Sequence, residues 1–385
     1  MWNYRIVTVT GIPIRVNITL LLFIPVIVWL IGSNVGTVEG SEIWIEILAG
    51  LSDAELTAEG LRAGNTPWIL GALAAVGLFF GVTVHELGHA WTARRYDLEI
   101  SSITLWIFGG MAHMEENPSE WKTEFWIAVA GPITSVIVAG AFYVALQVVP
   151  PVPELVFVFG WLTIMNLVLA VFNMVPAFPM DGGRVLRALL ARNRPYAQAT
   201  QSAASVAKFL AVGMGILGLL GNPVLVLIAL FVYVAASSES RMTAISESLS
   251  DVTVADLMTR DVKTVSPDET VQDLFERMLV ERHTGYPVTR NANVVGIVTL
   301  SDAKEVRPEE REAFLVEDIM TEDVVTVGPD EDAFEVLQTL SRESFGRLVV
   351  VEDGELVGIV SRTDIMTALD VLQGGGLSSS RAPSV

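Results

Sequence analysis

The chain has 385 residues, no cysteine, 51% hydrophobic residues and a formal charge of −20, with a mean hydropathy of +0.51. A single water-soluble core is not that apolar and that acidic at once, so the composition calls for a membrane part joined to an acidic soluble part. The lack of cysteine excludes disulfides, thiolate metal ligands and a cysteine nucleophile, and the negative balance argues against a nucleic-acid partner.

Residues 1–240 hold 11 Lys and Arg against 16 Asp and Glu, whereas residues 241–385 hold 13 against 28, so most of the charge lies in the last part of the chain. Only Lys122, Lys208, Lys263 and Lys304 are lysines. An acidic, lysine-poor surface suits concentrated salt, which screens self-repulsion, and points to a halophilic prokaryote.

The chain opens with Arg5 and Arg15 ahead of an apolar run at 18–32 that lacks a small-residue cleavage site, as expected of a retained membrane helix. Further apolar runs at 68–91, 124–148, 155–175, 199–220 and 223–236 bring the expected membrane helices to six. Arg94 and Arg95 follow the second run, Arg184, Arg187, Arg192 and Arg194 the fourth, and Arg241 the sixth, while the alternate connections hold only Arg62. Basic residues concentrate on the cytoplasmic side, so both termini are expected there.

The second run contains His85-Glu86-Leu87-Gly88-His89. On a helix His85, Glu86 and His89 project to one face. Two neutral imidazoles four apart can hold one zinc ion, and the carboxylate beside them can accept a proton from a water. Ionisable groups inside a span are costly and tend to be functional, which favours the metal reading over packing.

Next, residues 100–106 read as a strand, 108–110 as a turn and 111–114 as a second strand; such backbone borders a membrane only where protein or a cavity covers it. A catalytic zinc needs a third ligand. His113 and His283 are available, but the best candidate is Asp181, in Asn173-Met-Val-Pro-Ala-Phe-Pro-Met-Asp181-Gly-Gly, where two prolines break the fourth helix and let the chain turn back. The competing role for Asp181 is to cap the arginine-rich helix that follows. At a rise of ~1.5 Å per residue, His89 and His85 lie ~7 and ~14 Å inside the face marked by Arg94, and Asp181 precedes Arg184 on that side.

Residues 251–372 repeat with an offset of 62: Asp256-Leu-Met-Thr matches Asp318-Ile-Met-Thr, Thr264-Val-Ser-Pro-Asp-Glu matches Thr326-Val-Gly-Pro-Asp-Glu, and Gly296-Ile-Val matches Gly358-Ile-Val. Each unit reads as a short helix, a strand, an amphipathic helix, two strands and a final helix.

These residues carry two resemblances. His85, Glu86 and His89, the Asn173-x-x-Pro176-x-x-x-x-Asp181-Gly182 segment, Gly109-Gly110 and Ala130-Gly131-Pro132 resemble the site-2 proteases, intramembrane zinc metalloproteases, over roughly residues 5–240. The resemblance implies one zinc ion held by His85, His89 and Asp181, Glu86 as general base, and Asn173 on the substrate backbone or the developing oxyanion. Relatives often have Asn where this chain has Ser135, a position expected to matter for helix packing and not for zinc chemistry. The repeat resembles a tandem of CBS domains. That likeness implies a dimerisation platform or an adenine-nucleotide site (ATP or AMP) using Thr299 with Asp302 and Ser361 with Asp364; the same Ser/Thr-x-x-Asp spacing also suits helix capping.

The expected architecture is thus a multi-pass α-helical membrane protein of about six transmembrane helices with a C-terminal α+β tandem CBS domain. The expected parts are a protease domain at 1–240, a linker at 241–250, CBS domains at 251–310 and 311–372, and a flexible tail at 373–385. The expected activity is cleavage of a membrane-spanning protein substrate in the bilayer near the cytoplasmic face, regulated or dimerised through the CBS pair. The alternative is a CBS-regulated channel or cation transporter. It is disfavoured because the membrane half shows no paired internal repeat and because a glutamate beside two histidines serves hydrolysis better than permeation.

Overall fold

The computed structural model describes all residues except 1–2, 53–56, 108, 115–117, 119, 151, 292, 344 and 375–385. The expected turn at Phe108 and the expected tail beyond residue 374 therefore lie outside the described residues. The chain forms two compact units that divide between Arg241 and Met242.

The first unit begins with a hairpin that the sequence reading above does not anticipate. Strands β1 (Asn3–Val9) and β2 (Ile12–Asn17) pair antiparallel across Thr10 and Gly11, whose φ values of 50° and 85° suit a two-residue turn matched to strand twist. Ile12, Ile14 and Val16 alternate inward. Asn17 ends β2 and caps helix α1 (Ile18–Gly36) by accepting from Thr19 N at 3.0 Å. The connection at 33–67 carries two further helices, α2 (Val38–Ala49) and α3 (Ala58–Arg62).

There follow α4 (Thr66–Arg94), β3 (Ile100–Trp106), β4 (Gly109–Met114), α5 (Trp121–Val148), α6 (Pro153–Asn173), α7 (Asp181–Ala191), α8 (Tyr196–Leu219) and α9 (Pro223–Ser248). Pro67, Pro153 and Pro223 sit at the first or second position of their helices, where a missing N–H costs nothing. Among the described residues six helices are long and apolar enough to cross a membrane: α1, α4, α5, α6, α8 and α9. Their outer faces expose Leu22, Val171, Phe209 and Leu219, as a lipid-facing surface does. The segment expected as a linker is helical as far as Ser248.

Strands β1 to β4 form one sheet in chain order, with β2 and β3 parallel. Ile12, Ile14, Val16, Ile103 and Leu105 pack with Leu87 and Ala90, so the sheet rests on the end of α4 that carries the histidines.

The second unit keeps the 62-residue offset except at the first expected strand, which in the first repeat is reduced to a single bridge from Val265 to Val288. Helices α10 (Val254–Leu257) and α11 (Val271–Glu281), strands β5 (Gly285–Arg290) and β6 (Asn293–Thr299) and helix α12 (Leu300–Glu305) recur as α13 (Val316–Ile319), α14 (Ala333–Arg342), β8 (Arg347–Glu352), β9 (Glu355–Ser361) and the start of α15 (Arg362–Gly374), with β7 (Thr326–Val327) between α13 and α14. Helix α15 runs into the first residues of the expected tail. The two repeats exchange their leading segments. Thr259 of the first bonds Ile359 of β9, and Thr321 of the second bonds Ile297 of β6, each through two backbone hydrogen bonds of 2.9–3.0 Å. A Cβ at Gly358 would stand 2.5 Å from Met258 Sδ, and one at Gly296 2.6 Å from Met320 Sδ.

Candidate metal centre

Helix α4 presents His85 and His89 one turn apart, both buried, with ring centroids 4.8 Å apart. Asp181 reaches them from the opposite side. After α6 ends at Asn173 the chain turns back through Pro176 and the cis Phe178–Pro179 bond, and α7 starts at Asp181 itself. Met180 occupies the cap position and no side chain caps the helix, so the Asp181 carboxylate is not used for capping.

Asp181 Oδ2 lies 3.1 Å from His85 Nε2 and 3.2 Å from His89 Nε2, and the two Nε2 atoms are 3.2 Å apart. Donor atoms of the three residues all lie within 4.8 Å of one another. Ligands held tetrahedrally at zinc distances of ~2.0–2.1 Å stand ~3.3–3.4 Å apart, so this near-equilateral triangle fits such an ion with little adjustment.

The far ring nitrogens are also held, and at His89 a carbonyl partner fixes the tautomer. His89 Nδ1 donates to the Ile127 carbonyl at 2.7 Å, and His85 Nδ1 lies 2.8 Å from Ser135 Oγ. Both contacts leave Nε2 free to face the cluster. The serine therefore touches one of the candidate ligands directly, whereas its position was expected to concern helix packing. Ile127, Gly131 and Ser135 share one face of α5, at spacings of four. Gly131 is required there: a Cβ would stand 2.2 Å from His89 Nε2 and 2.7 Å from His85 Nε2. Gly88 plays the matching part on α4, with Thr134 Oγ1 2.3 Å from where its Cβ would be.

Glu86 is half-buried beside the two imidazoles. Gly110 of β4 crosses over it, so closely that a Cβ at Gly110 would lie 2.3 Å from Glu86 Cγ and 2.8 Å from Oε1. Asn173 closes α6, and its amide donates back to Leu169 O at 3.0 Å. Of the two other histidines weighed as ligands, His113 is paired with Ser102 through the β3–β4 ladder, with its side chain outside the described residues, and His283 lies in the second unit.

In the second unit, Thr299 and Ser361 form capping boxes with Asp302 and Asp364. The hydroxyls donate to the carboxylates at 2.8 and 2.7 Å, and the backbone N–H groups of Thr299 and Ser361 at 2.7 and 2.9 Å. Asp364 also borders a cavity of about 520 Å³ lined by Val252, Asp256, Leu257, Thr367 and Ala368 among others.

A buried pair of imidazoles and a carboxylate, with a second carboxylate beside them in a bundle of membrane-length helices, is a donor set that suits a membrane metalloenzyme. Residues 73–158 and 151–215 match Peptidase family M50, and residues 254–309 and 316–371 match the CBS domain; the chain belongs to peptidase family M50, the site-2 proteases, and carries a tandem of CBS domains. A zinc metalloprotease of Methanocaldococcus jannaschii is 33% identical over 97% of this chain and 97% of its own. A protein of Mycobacterium tuberculosis named as a zinc metalloprotease, Rip3, is 34% identical over 79% of this chain and 82% of its own. The solved site-2 protease from M. jannaschii, 33% identical, covers 62% of this chain and 95% of its own with a TM-score of 0.42. Family membership makes the protein a zinc metalloprotease and displaces the channel alternative.

Proposed function

We propose that the protein cleaves membrane-spanning segments of other proteins near the cytoplasmic face, with His85, His89 and Asp181 holding one zinc ion and Glu86 as general base. The observation that carries this reading is the 3.1–3.2 Å triangle of donor atoms with Glu86 beside it. A bound zinc ion supplies Lewis-acid polarisation of the scissile carbonyl and of the attacking water. Glu86 takes the proton of that water and delivers it to the leaving nitrogen. Asn173, once its amide leaves Leu169 O, holds the substrate backbone or the oxyanion.

A transmembrane helix hides its peptide bonds in its own hydrogen bonds, so the substrate must unwind. Strand β4 is the last of its sheet, and among the described residues it is bonded within it to β3 alone. Its outer edge suits an added substrate strand, and its Gly110 lies over Glu86. Thr104 of β3 pairs with both Arg15 and Met111, so a proline there breaks the sheet. Prolines at Met111 and Ala112, whose N–H groups face opposite edges, separate edge from ladder; normal cleavage by both would remove the strand-addition role.

The arginine distribution supports cytoplasmic termini, and the lysine-poor acidic surface supports a salt-rich source. We read residues 1–240 as the protease, 241–250 as the link and 251–310 with 311–372 as the CBS pair. This pair serves as a dimerisation platform or as a sensor of ATP or AMP. The cavity beside Asp364 supports the sensor role, and ATP binding by the full chain should weaken on Asp364→Ala; absence of binding by the unaltered chain would leave the platform role. The decisive experiment measures zinc content and cleavage of a single-span substrate by the unaltered protein and by Glu86→Gln. Zinc retained with cleavage lost is expected, and normal cleavage by Glu86→Gln removes the base assignment.

A further inference from the structure

Six residues beyond Asp181 on α7, Arg187 is buried in the protein, where an unpaired guanidinium would be costly. Its Nε donates to Glu124 Oε1 at 2.7 Å, and its Nη2 reaches the same oxygen at 2.5 Å. Its Nη1 donates to Glu239 Oε1 at 2.5 Å. The guanidinium also stacks over Phe178, 5.1 Å from the ring centroid, and over Tyr196, at 4.9 Å. One side chain thus ties α7 to α5, to α9, to the start of α8 and to the turn that leads into Asp181.

The α5 tie is the informative one. Glu124 lies three residues before Ile127, on the face that continues through Gly131 to Ser135. That face holds the far nitrogens of both imidazoles. The Arg187–Glu124 pair is therefore the charged bond between the helix that carries Asp181 and the helix face that orients His85 and His89. The second oxygen of Glu124 is buried without a hydrogen-bond partner, so Arg187 is what compensates that carboxylate. Two carboxylates engaged at once, with two aromatic rings beside the guanidinium, call for the planar five-donor fork of arginine; a lysine ammonium does not match it. A buried ion pair of this kind is a poor source of net stability and a good source of fixed geometry.

We infer that Arg187 is a positioning residue, clamped by Glu124 and Glu239, that holds Asp181 in register with His85 and His89. The inference rests on the reading of Asp181 as a metal ligand. Through Glu239, two residues before the division at Arg241, α9 has a hand on the same clamp.

Cobalt(II) binding to the full-length protein in detergent tests this, because its visible bands report the ligand set independently of turnover. Arg187→Gln should weaken cobalt binding ~10- to 100-fold, the range for partners that orient ligands, and move the bands toward those of Asp181→Ala. Arg187→Lys should restore the bands only in part. A folded Arg187→Gln protein with unaltered affinity and bands overturns the inference. If Arg187→Gln fails to fold, Glu239→Gln, which removes only the half-exposed arm, should still weaken binding several-fold, and no change there overturns it as well. If Asp181→Ala itself binds cobalt as tightly as the unaltered chain, what fails is the ligand assignment and not the clamp.

Discussion

Replacing Gly131 with alanine adds one methyl group at the centre of the proposed metal site. Its Cβ would stand 2.2 Å from His89 Nε2, 2.5 Å from His89 Cε1 and 2.7 Å from His85 Nε2. Ordinary contact begins near 3.4 Å, so His89 would have to retreat by about 1.2 Å and His85 by about 0.7 Å, against a tolerance of ~0.2 Å in metal–ligand distance. Neither ring can retreat freely, because the Ile127 carbonyl and Ser135 Oγ hold the far nitrogens at 2.7 and 2.8 Å. We expect zinc affinity to fall at least ~100-fold, about 2.8 kcal/mol at 1.4 kcal/mol per decade. Zinc stoichiometry after gel filtration, with competition against a chelator of known affinity, measures this. Gly140→Ala on the same helix, where nothing lies within 4 Å of the new methyl, is the control and should keep its zinc. A Gly131→Ala protein that holds one zinc with an unshifted competition curve would refute the placement of the ion between these imidazoles.

Ser135→Ala should cost ~10- to 100-fold in metal affinity by releasing His85 Nδ1, and Ser135→Asn, which can still accept that N–H, should recover most of it in the same titration. Gly110→Val should abolish cleavage while leaving zinc bound, since the atoms nearest its new Cβ all belong to Glu86; active Gly110→Val would show that β4 does not constrain the base. In the second unit, burial and then the hydrogen bond to Glu281 push the Tyr286 hydroxyl from 10.0 up to about 12. The unfolded chain therefore loses this proton first, and the contribution of Tyr286 is intact below pH 10 and lost between pH 10 and about 12. Denaturant melts across that range should fall less steeply for Tyr286→Phe than for the unaltered chain.

The six spans, the α4 histidines and the repeat were legible because each is a local or periodic signal: an apolar run, a spacing of four, an offset of 62. Asp181 was legible because two prolines bring the chain back toward the face it left. The N-terminal hairpin is weakly marked in the sequence although Ile12, Ile14 and Val16 alternate, because a short alternating segment merges with the long apolar run beside it. The roles of Ser135, Ile127 and Arg187 depend on which helix faces which, and no spacing within α5 or α7 reveals that. The Ser/Thr-x-x-Asp pairs show the opposite limit. The pattern reads equally as cap or as ligand site, and the fold fills the cap without emptying the cavity beside Asp364.

The exchanged leading segments of the CBS pair have a thermodynamic consequence. Val254, together with Leu249 before the repeats, packs in a core whose other buried members come from the second repeat, and Val316 packs in the core of the first, so neither half owns a complete hydrophobic interior. Parting the repeats would strip each of a short helix with its one buried valine and of a backbone bridge at one stroke. The pair should therefore melt as one cooperative transition in which neither repeat survives the other. A lesion or a ligand at one repeat then changes the opening free energy of both, as when one keystone is shared by two arches.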